Sequence, residues 1–131
     1  MTKPSPPRRL SGVLVVEDAS FILDSLTLWL RRLGFTAFPA RGCAEAEGLL
    51  REHAGEIDAA LIDLRMPGAD GLETRRRLDA VKPGLRCVLM TGAGLEADAP
   101  PEGFLLALAK PFGQDELETC LGELGRETEP V

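Results

Sequence analysis

The chain has 131 residues, enough for one domain with a proper core, whereas two autonomous halves would each fall near the lower size limit for folding alone. Hydrophobic residues make up 44% and charged residues 27%, which excludes a disordered chain. The net charge of -6 makes nucleic acid and anionic membrane poor partners, and no apolar run approaches the ~20 residues of a membrane span.

Residues 1–9 contain Lys3, Arg8 and Arg9 but no apolar stretch, so they do not form a signal peptide. With Pro4, Pro6 and Pro7 they read as a disordered lead-in. Val13 to Val16 is a short run, apolar at every position, that stops at Glu17-Asp18. Such a run predicts a strand buried on both faces, as in a parallel sheet. Ile22, Leu26, Trp29, Leu30 and Leu33 then recur with helical spacing, and Gly34 ends the helix. Phe35 to Phe38 reads as a short strand closed by Pro39, and Ala46, Leu49, Leu50 and His53 as a second helix face. Ala59 to Ile62 is another buried strand, ending on Asp63. Met66 to Gly71 is turn chemistry, and Leu72 to Val81 is a helix with a thin apolar face. Cys87 to Met90 ends on Thr91, and Leu105 to Ala109, read as a further buried strand, ends on Lys110-Pro111. Leu117, Cys120, Leu121 and Leu124 mark a last helix.

The pattern is βα repeated five times, with a weak unit near residues 93–103. It predicts an α/β domain with a parallel sheet covered by helices on both faces. Right-handed crossovers leave few topologies, and the flavodoxin-like (βα)5 doubly wound order 2-1-3-4-5 is the commonest small one. The domain is expected over 10–125, with a tail at 126–131. Three glycines and Pro100-Pro101 within 92–103 leave room for one helical turn at most, so the fourth helix is expected to be short or absent and the segment a mobile loop.

Cys43, Cys87 and Cys120 are widely spaced, and His53 is the only histidine. The usual zinc sites, a disulfide framework and Cys–His or Ser–His catalysis are excluded. Buried free thiols in a reducing, cytoplasmic setting are the expectation. His53 reads as a helix terminus, Trp29 as a core anchor and Arg75-Arg76-Arg77 as a solvated helix face.

The chemistry lies at the strand ends. Glu17, Asp18, Asp63, Thr91 and Lys110 converge on one rim in the proposed topology. Three carboxylates so close need a counter-charge, and a hard dication such as Mg²⁺ with oxygen ligands supplies it. Lys110 and Thr91 suit a phosphoryl oxyanion. A carboxylate with an unengaged oxygen can attack phosphorus. The residues alone therefore describe a Mg²⁺-dependent phosphoryl acceptor built on aspartate.

Four segments also carry a resemblance. Val13 to Asp18, Leu61 to Leu72, Leu89 to Gly92 and Lys110 to Phe112 resemble, in order, the signatures of bacterial response-regulator receiver domains. The resemblance implies that Asp63 takes a phosphoryl group from a histidine kinase or phosphotransfer protein. It implies that Asp18, Asp63 and the carbonyl of Arg65 ligate Mg²⁺, with Glu17 acting through water, and that Thr91 and Lys110 bind phosphoryl oxygens. A cis Lys110-Pro111 bond is implied as well. The module would switch binding of a downstream protein and would be no enzyme beyond its own phosphorylation and dephosphorylation. A monomer or weak dimer is expected.

Two departures stand out. Thr91 and Lys110 are closer in sequence than is usual in the family, and the aromatic expected three residues before the lysine is Ala107. Only a few residues follow the last helix, so the chain reads as a stand-alone receiver that switches a partner or acts as a phosphate sink, or as one excised from a longer regulator. A flavodoxin-like nucleotide-binding domain is the alternative from another class. It is disfavoured because Glu17-Asp18-Ala19-Ser20, after the first strand, would repel phosphate without a metal.

Overall fold

Strands and helices alternate along the chain in a computed structural model that describes residues 10–92 and 100–126. In order they are β1 (Gly12–Val16), α1 (Ser20–Arg32), β2 (Thr36–Ala40), α2 (Cys43–Glu52), β3 (Ala59–Asp63), α3 (Gly71–Val81), β4 (Arg86–Thr91), β5 (Leu106–Ala109) and α4 (Gln114–Arg126). The strands form one sheet in the order β2-β1-β3-β4-β5, and every pairing is parallel. This is the expected flavodoxin-like topology.

β1 and β3 are buried at every residue, which is why their sequences are apolar without alternation. Successive side chains still point to opposite faces. Val13 and Val15 join Leu26, Leu30, Leu117 and Leu121 under α1 and α4. Leu14 and Val16 join Leu50 and Leu78 under α2 and α3. Each fully buried leucine among these contributes on the order of 1.5–3 kcal/mol.

The α1 stripe is rotated slightly from the sequence reading. Leu23 and Thr27 are buried with Leu26 and Leu30, while Ile22, Trp29 and Leu33 pack at its margin. Thr27 is tolerated inside because its hydroxyl donates to Leu23 O at 2.7 Å. Trp29 does anchor the edge of the core, with Phe112 edge-on at 6.4 Å. His53 is the C-cap of α2, with Nδ1 2.6 Å from Glu56 Oε2.

Several expectations need correction. Pro39 does not close β2 but lies within it, opposite Val15. An edge strand accepts proline because one side needs no ladder donor. β5 is not buried like β1 and β3: it is the opposite edge of the sheet, and its residues are partly or fully exposed. Arg126 belongs to α4 and not to a tail. The arginine triplet is not uniformly solvated. Arg77 Nε reaches Glu47 of α2 at 2.8 Å, Arg76 pairs with Glu73 on its own helix, and Arg75 packs against Gly103, where an added Cβ would meet its guanidinium.

No helix occurs over 100–105. The expected loop over 93–99, the lead-in 1–9 and the tail 127–131 lie outside the described residues.

Candidate functional site

The register of the sheet builds the rim. Val16 pairs with Ile62, Asp63 with Met90, and Thr91 with Ala109. The residues at or just after these ends, Glu17, Asp18, Asp63, Thr91 and Lys110, are therefore carried to one edge of the molecule. Glu17 is fixed further by its N–H donating to Ala40 O at 3.0 Å.

One oxygen from each of Glu17, Asp18 and Asp63 lies within 4.8 Å of the others. Glu17 and Asp63 are 1% and 6% exposed, whereas Asp18 faces solvent. Lys110 Nζ stands 2.6 Å from Glu17 Oε1 and 2.8 Å from Asp63 Oδ1. Glu17 Oε2 accepts the Ala19 N–H at 3.2 Å. Burial raises the pKa of Glu17, only partly countered by the hydrogen bonds from Lys110 and Ala19, and nearby Asp63 adds to the rise. For Lys110, burial acts to lower the pKa, but its bonds to Asp63 and Glu17 together outweigh that and hold it above the ordinary lysine value. A single ammonium thus neutralises part of a three-carboxylate cluster.

Thr91 is buried, and its carbonyl accepts the Lys110 N–H at 2.7 Å. Its hydroxyl donates to Gly92 O at 3.4 Å, a long contact. The Lys110-Pro111 bond is cis. Arg65 stands two residues past Asp63 with its side chain exposed, in an open groove lined by Leu64, Met66, Pro67 and Asp70 as well.

The loop after Asp63 is held by its glycine. A Cβ on Gly71 would stand 2.6 Å from Asp63 O and 2.9 Å from Leu64 Cα, so only glycine lets α3 start this close to the end of β3. Gly71 N–H donates to Leu64 O at 2.8 Å. Asp70 caps α3 by accepting the Glu73 N–H at 2.9 Å.

The sequence reading overlooked two polar groups at the other end of the sheet. Asp58 Oδ2 accepts the N–H groups of Ser11 and Gly12 at 2.7 and 3.2 Å. Lys82 Nζ donates to Ala54 O and Ile57 O, both at 2.6 Å. Both tie down strand and helix ends far from Asp63. An acid directly before an apolar run was the available signal for Asp58.

The donor set fits a hard dication: three carboxylates, oxygen donors only, one of them solvent-facing, and a single lysine to offset them. What the rim can do chemically is hold negative oxygens around a cation and present Asp63 beside an ammonium.

A parallel 2-1-3-4-5 sheet with an acid cluster and a lysine at its carboxyl rim is the arrangement of receiver domains in two-component signalling. The response regulator receiver domain family matches residues 13–121, and the chain belongs to it. It is similar to a response regulator receiver protein of Anaeromyxobacter sp. (strain Fw109-5), at 37% identity over 86% of this chain and 44% of that protein. It is 30% identical to sporulation initiation phosphotransferase F of Bacillus subtilis (strain 168), over 83% of this chain and 89% of that one. A response regulator receiver domain from Clostridium thermocellum superposes with a TM-score of 0.80 at 25% identity, covering 90% of this chain and 96% of that one. The chain spans less than half of the Anaeromyxobacter relative and 23% of the transcriptional regulator DctD of Rhizobium meliloti (strain 1021). Among the described residues no helix is long and apolar enough to cross a membrane.

Proposed function

We propose that Asp63 is the phosphoacceptor of this receiver, taking a phosphoryl group from the phosphohistidine of a histidine kinase or phosphotransfer protein. The observation that carries the reading is Lys110 Nζ bridging Glu17 and Asp63 at 2.6 and 2.8 Å. The ammonium already lies where the phosphoryl oxygens would arrive. It engages Asp63 Oδ1 and leaves Oδ2 as the nucleophile.

In the transfer, Asp63 Oδ2 forms a bond to phosphorus while the bond from phosphorus to the donor nitrogen breaks. The electron pair returns to the donor imidazole. Lys110 shifts its contact onto a phosphoryl oxygen, and the Thr91 hydroxyl exchanges its long contact with Gly92 O for another such oxygen. Both act as fixed donors at developing charge, which is the economical way to stabilise phosphoryl transfer. Glu17, Asp18, Asp63 and the Arg65 carbonyl would hold Mg²⁺, which supplies charge neutralisation at the phosphoryl oxygens. The burial of Glu17 beside Lys110 favours a supporting part for it, and the exposure of Asp18 favours direct ligation.

The relative named a phosphotransferase, which this chain nearly spans, supports a part in phosphoryl relay. The reading extends to a unit over 10–125, cytoplasmic, monomeric or weakly dimeric, that alters binding of a downstream protein and performs no chemistry beyond its own phosphorylation and dephosphorylation. Intact mass after incubation with phosphoramidate, with and without Mg²⁺, tests it. A phosphoryl adduct formed only with the metal is expected, and no adduct under either condition would overturn it.

A further inference from the structure

We propose that the outer face of α1 is the contact of a symmetric dimer, in which two copies of this chain lay their first helices antiparallel, Leu28 against the partner's Leu28 and Asp24 against the partner's Arg31. The relationship is an exposed apolar stripe flanked by opposite charges in self-complementary positions.

α1 buries Leu23, Leu26, Thr27 and Leu30, so its opposite face meets solvent. That face carries Phe21 and Leu28, 83% and 48% exposed. The one other exposed large hydrophobic among the described residues, Leu105, lies outside α1. Phe21 and Leu28 are seven residues apart, which puts them within about 20° of each other around a helix. Asp24, Arg31 and Arg32 are exposed beside them. An acid on a helix is commonly answered by a cation three or four residues on, but those positions after Asp24 hold Thr27 and Leu28. Among the described residues, no ion pair within the chain engages Asp24, Arg31 or Arg32.

The pattern closes on itself. A two-fold axis between two such helices, at the level of Leu28, reverses the chain direction and sets each flank of α1 against the same flank of its partner. Asp24 and Arg31 share one flank, Asp24 about 6 Å before Leu28 along the helix and Arg31 about 4.5 Å after it. Reversal brings Asp24 level with the partner's Arg31 to within about 1.5 Å along the helix, and does so twice. Arg32 lies on the other flank, where the partner offers it a groove lined by Phe21, Ser25, Trp29, Pro111 and Phe112. Its aliphatic stem suits the apolar walls and its guanidinium the aromatic faces. Lys110, which also borders that groove, is held by Glu17 and Asp63. A parallel pairing fails, because it sets Asp24 against Asp24 and Arg31 against Arg31. One helix face per copy buries less than the roughly 800 Å² per partner of a stable complex, so the dimer is weak and forms in concentrated solution.

This contact is independent of Asp63, and its test needs no phosphoryl group. Sedimentation of the full chain from micromolar to millimolar concentration should show a monomer passing into a dimer. Asp24→Arg and Arg31→Asp should each raise the midpoint concentration by about tenfold or more, since each sets like charges together twice. Both residues are exposed, so circular dichroism of the two variants should match the wild type. Mixed in equal amounts, the two variants should recover the wild-type midpoint as a heterodimer, because every Asp24–Arg31 contact between them then joins opposite charges. On dilution of the wild type, NMR amide signals from Asp24 to Arg32 should move and those of Leu106 and Leu108 should not. A chain still monomeric at millimolar concentration would overturn the proposal. So would single variants that dimerise as well as the wild type, a mixture that shows no recovery, or dilution shifts on β5 in place of α1.

Discussion

The Lys110 ammonium lies 2.6 Å from the Glu17 carboxylate, which is 1% exposed at the foot of the acid cluster. No other cation contacts Glu17 among the described residues. Lys110→Ala would leave a buried carboxylate without its partner, and breaking a buried pair from one side costs about 3–5 kcal/mol. Glu17 already has a raised pKa, chiefly through burial, and losing Lys110 raises it further. A native state that holds its proton more tightly than the unfolded chain is stabilised below the unfolded pKa and loses that contribution as pH rises through the folded value. The variant's deficit should therefore be largest near neutral pH and shrink on acidification. Urea unfolding at neutral and mildly acidic pH measures this, and a deficit independent of pH would contradict the role given to Glu17.

Mg²⁺ should stabilise the domain without any phosphodonor. A ligand that binds only the native rim adds RT ln(1 + [L]/Kd), about 1.4 kcal/mol at tenfold excess over Kd. Asp18 is exposed, so Asp18→Ala should spare the fold while reducing the metal-dependent rise in Tm. Thermal melts with and without millimolar Mg²⁺ decide the point. Indifference of the wild-type chain to the metal would remove the cation site.

The strand ends made this rim legible in the sequence. An apolar run that stops on Glu17-Asp18 or Asp63 announces both a buried strand and a polar residue at its carboxyl end, and topology does the rest. What could not be read was partnership. Nothing in the chain order shows that Lys110 reaches Glu17 as well as Asp63, because that contact depends on two strands separated by β3 and β4. β5 was misread for a related reason. Leu105 to Ala109 is as apolar as β1, but composition does not report whether a further element covers the strand, and here it is an edge. In chain order Pro39 reads as the close of a strand, and only the topology shows that β2 has an open side that accepts it. The arginine triplet carried no signal distinguishing Arg77, which bridges to α2, from Arg76, which stays on its own helix.

The buried thiols give a pH prediction. Burial pushes Cys87 up from 9.0 to about 12 and Cys120 up to about 11. Above the unfolded value the denatured chain loses these protons first, so stability falls with rising pH from about 9 until each folded value is passed. The slope is up to about 1.4 kcal/mol per pH unit for each thiol. Denaturant unfolding of the wild type and of Cys87→Ala across this window measures it, with the shallower slope expected in the variant. Native Cys87 should also resist alkylation at pH 8 until the chain unfolds.

Gly71→Ala should be costly because the added methyl would meet backbone atoms, Asp63 O at 2.6 Å and Leu64 Cα at 2.9 Å. Overpacking of this kind costs about 1–3 kcal/mol. The displacement falls on the peptide unit that carries Asp63, so the rate of phosphorylation should drop along with stability. Gly122→Ala has open space and helical backbone and should be neutral to slightly stabilising. Equal effects of the two substitutions would mean that the α3 entry does not position the acceptor.

The central claim is that Asp63 carries the phosphoryl group, and borohydride trapping tests it most directly. An aspartyl phosphate is reduced by borohydride to homoserine, which marks the acceptor residue in a peptide map. After treatment of the folded chain with phosphoramidate and Mg²⁺, homoserine should appear at position 63 alone and should be absent from Asp63→Asn. Homoserine at Asp18 or another acid, or undiminished phosphorylation of Asp63→Asn, would contradict the account.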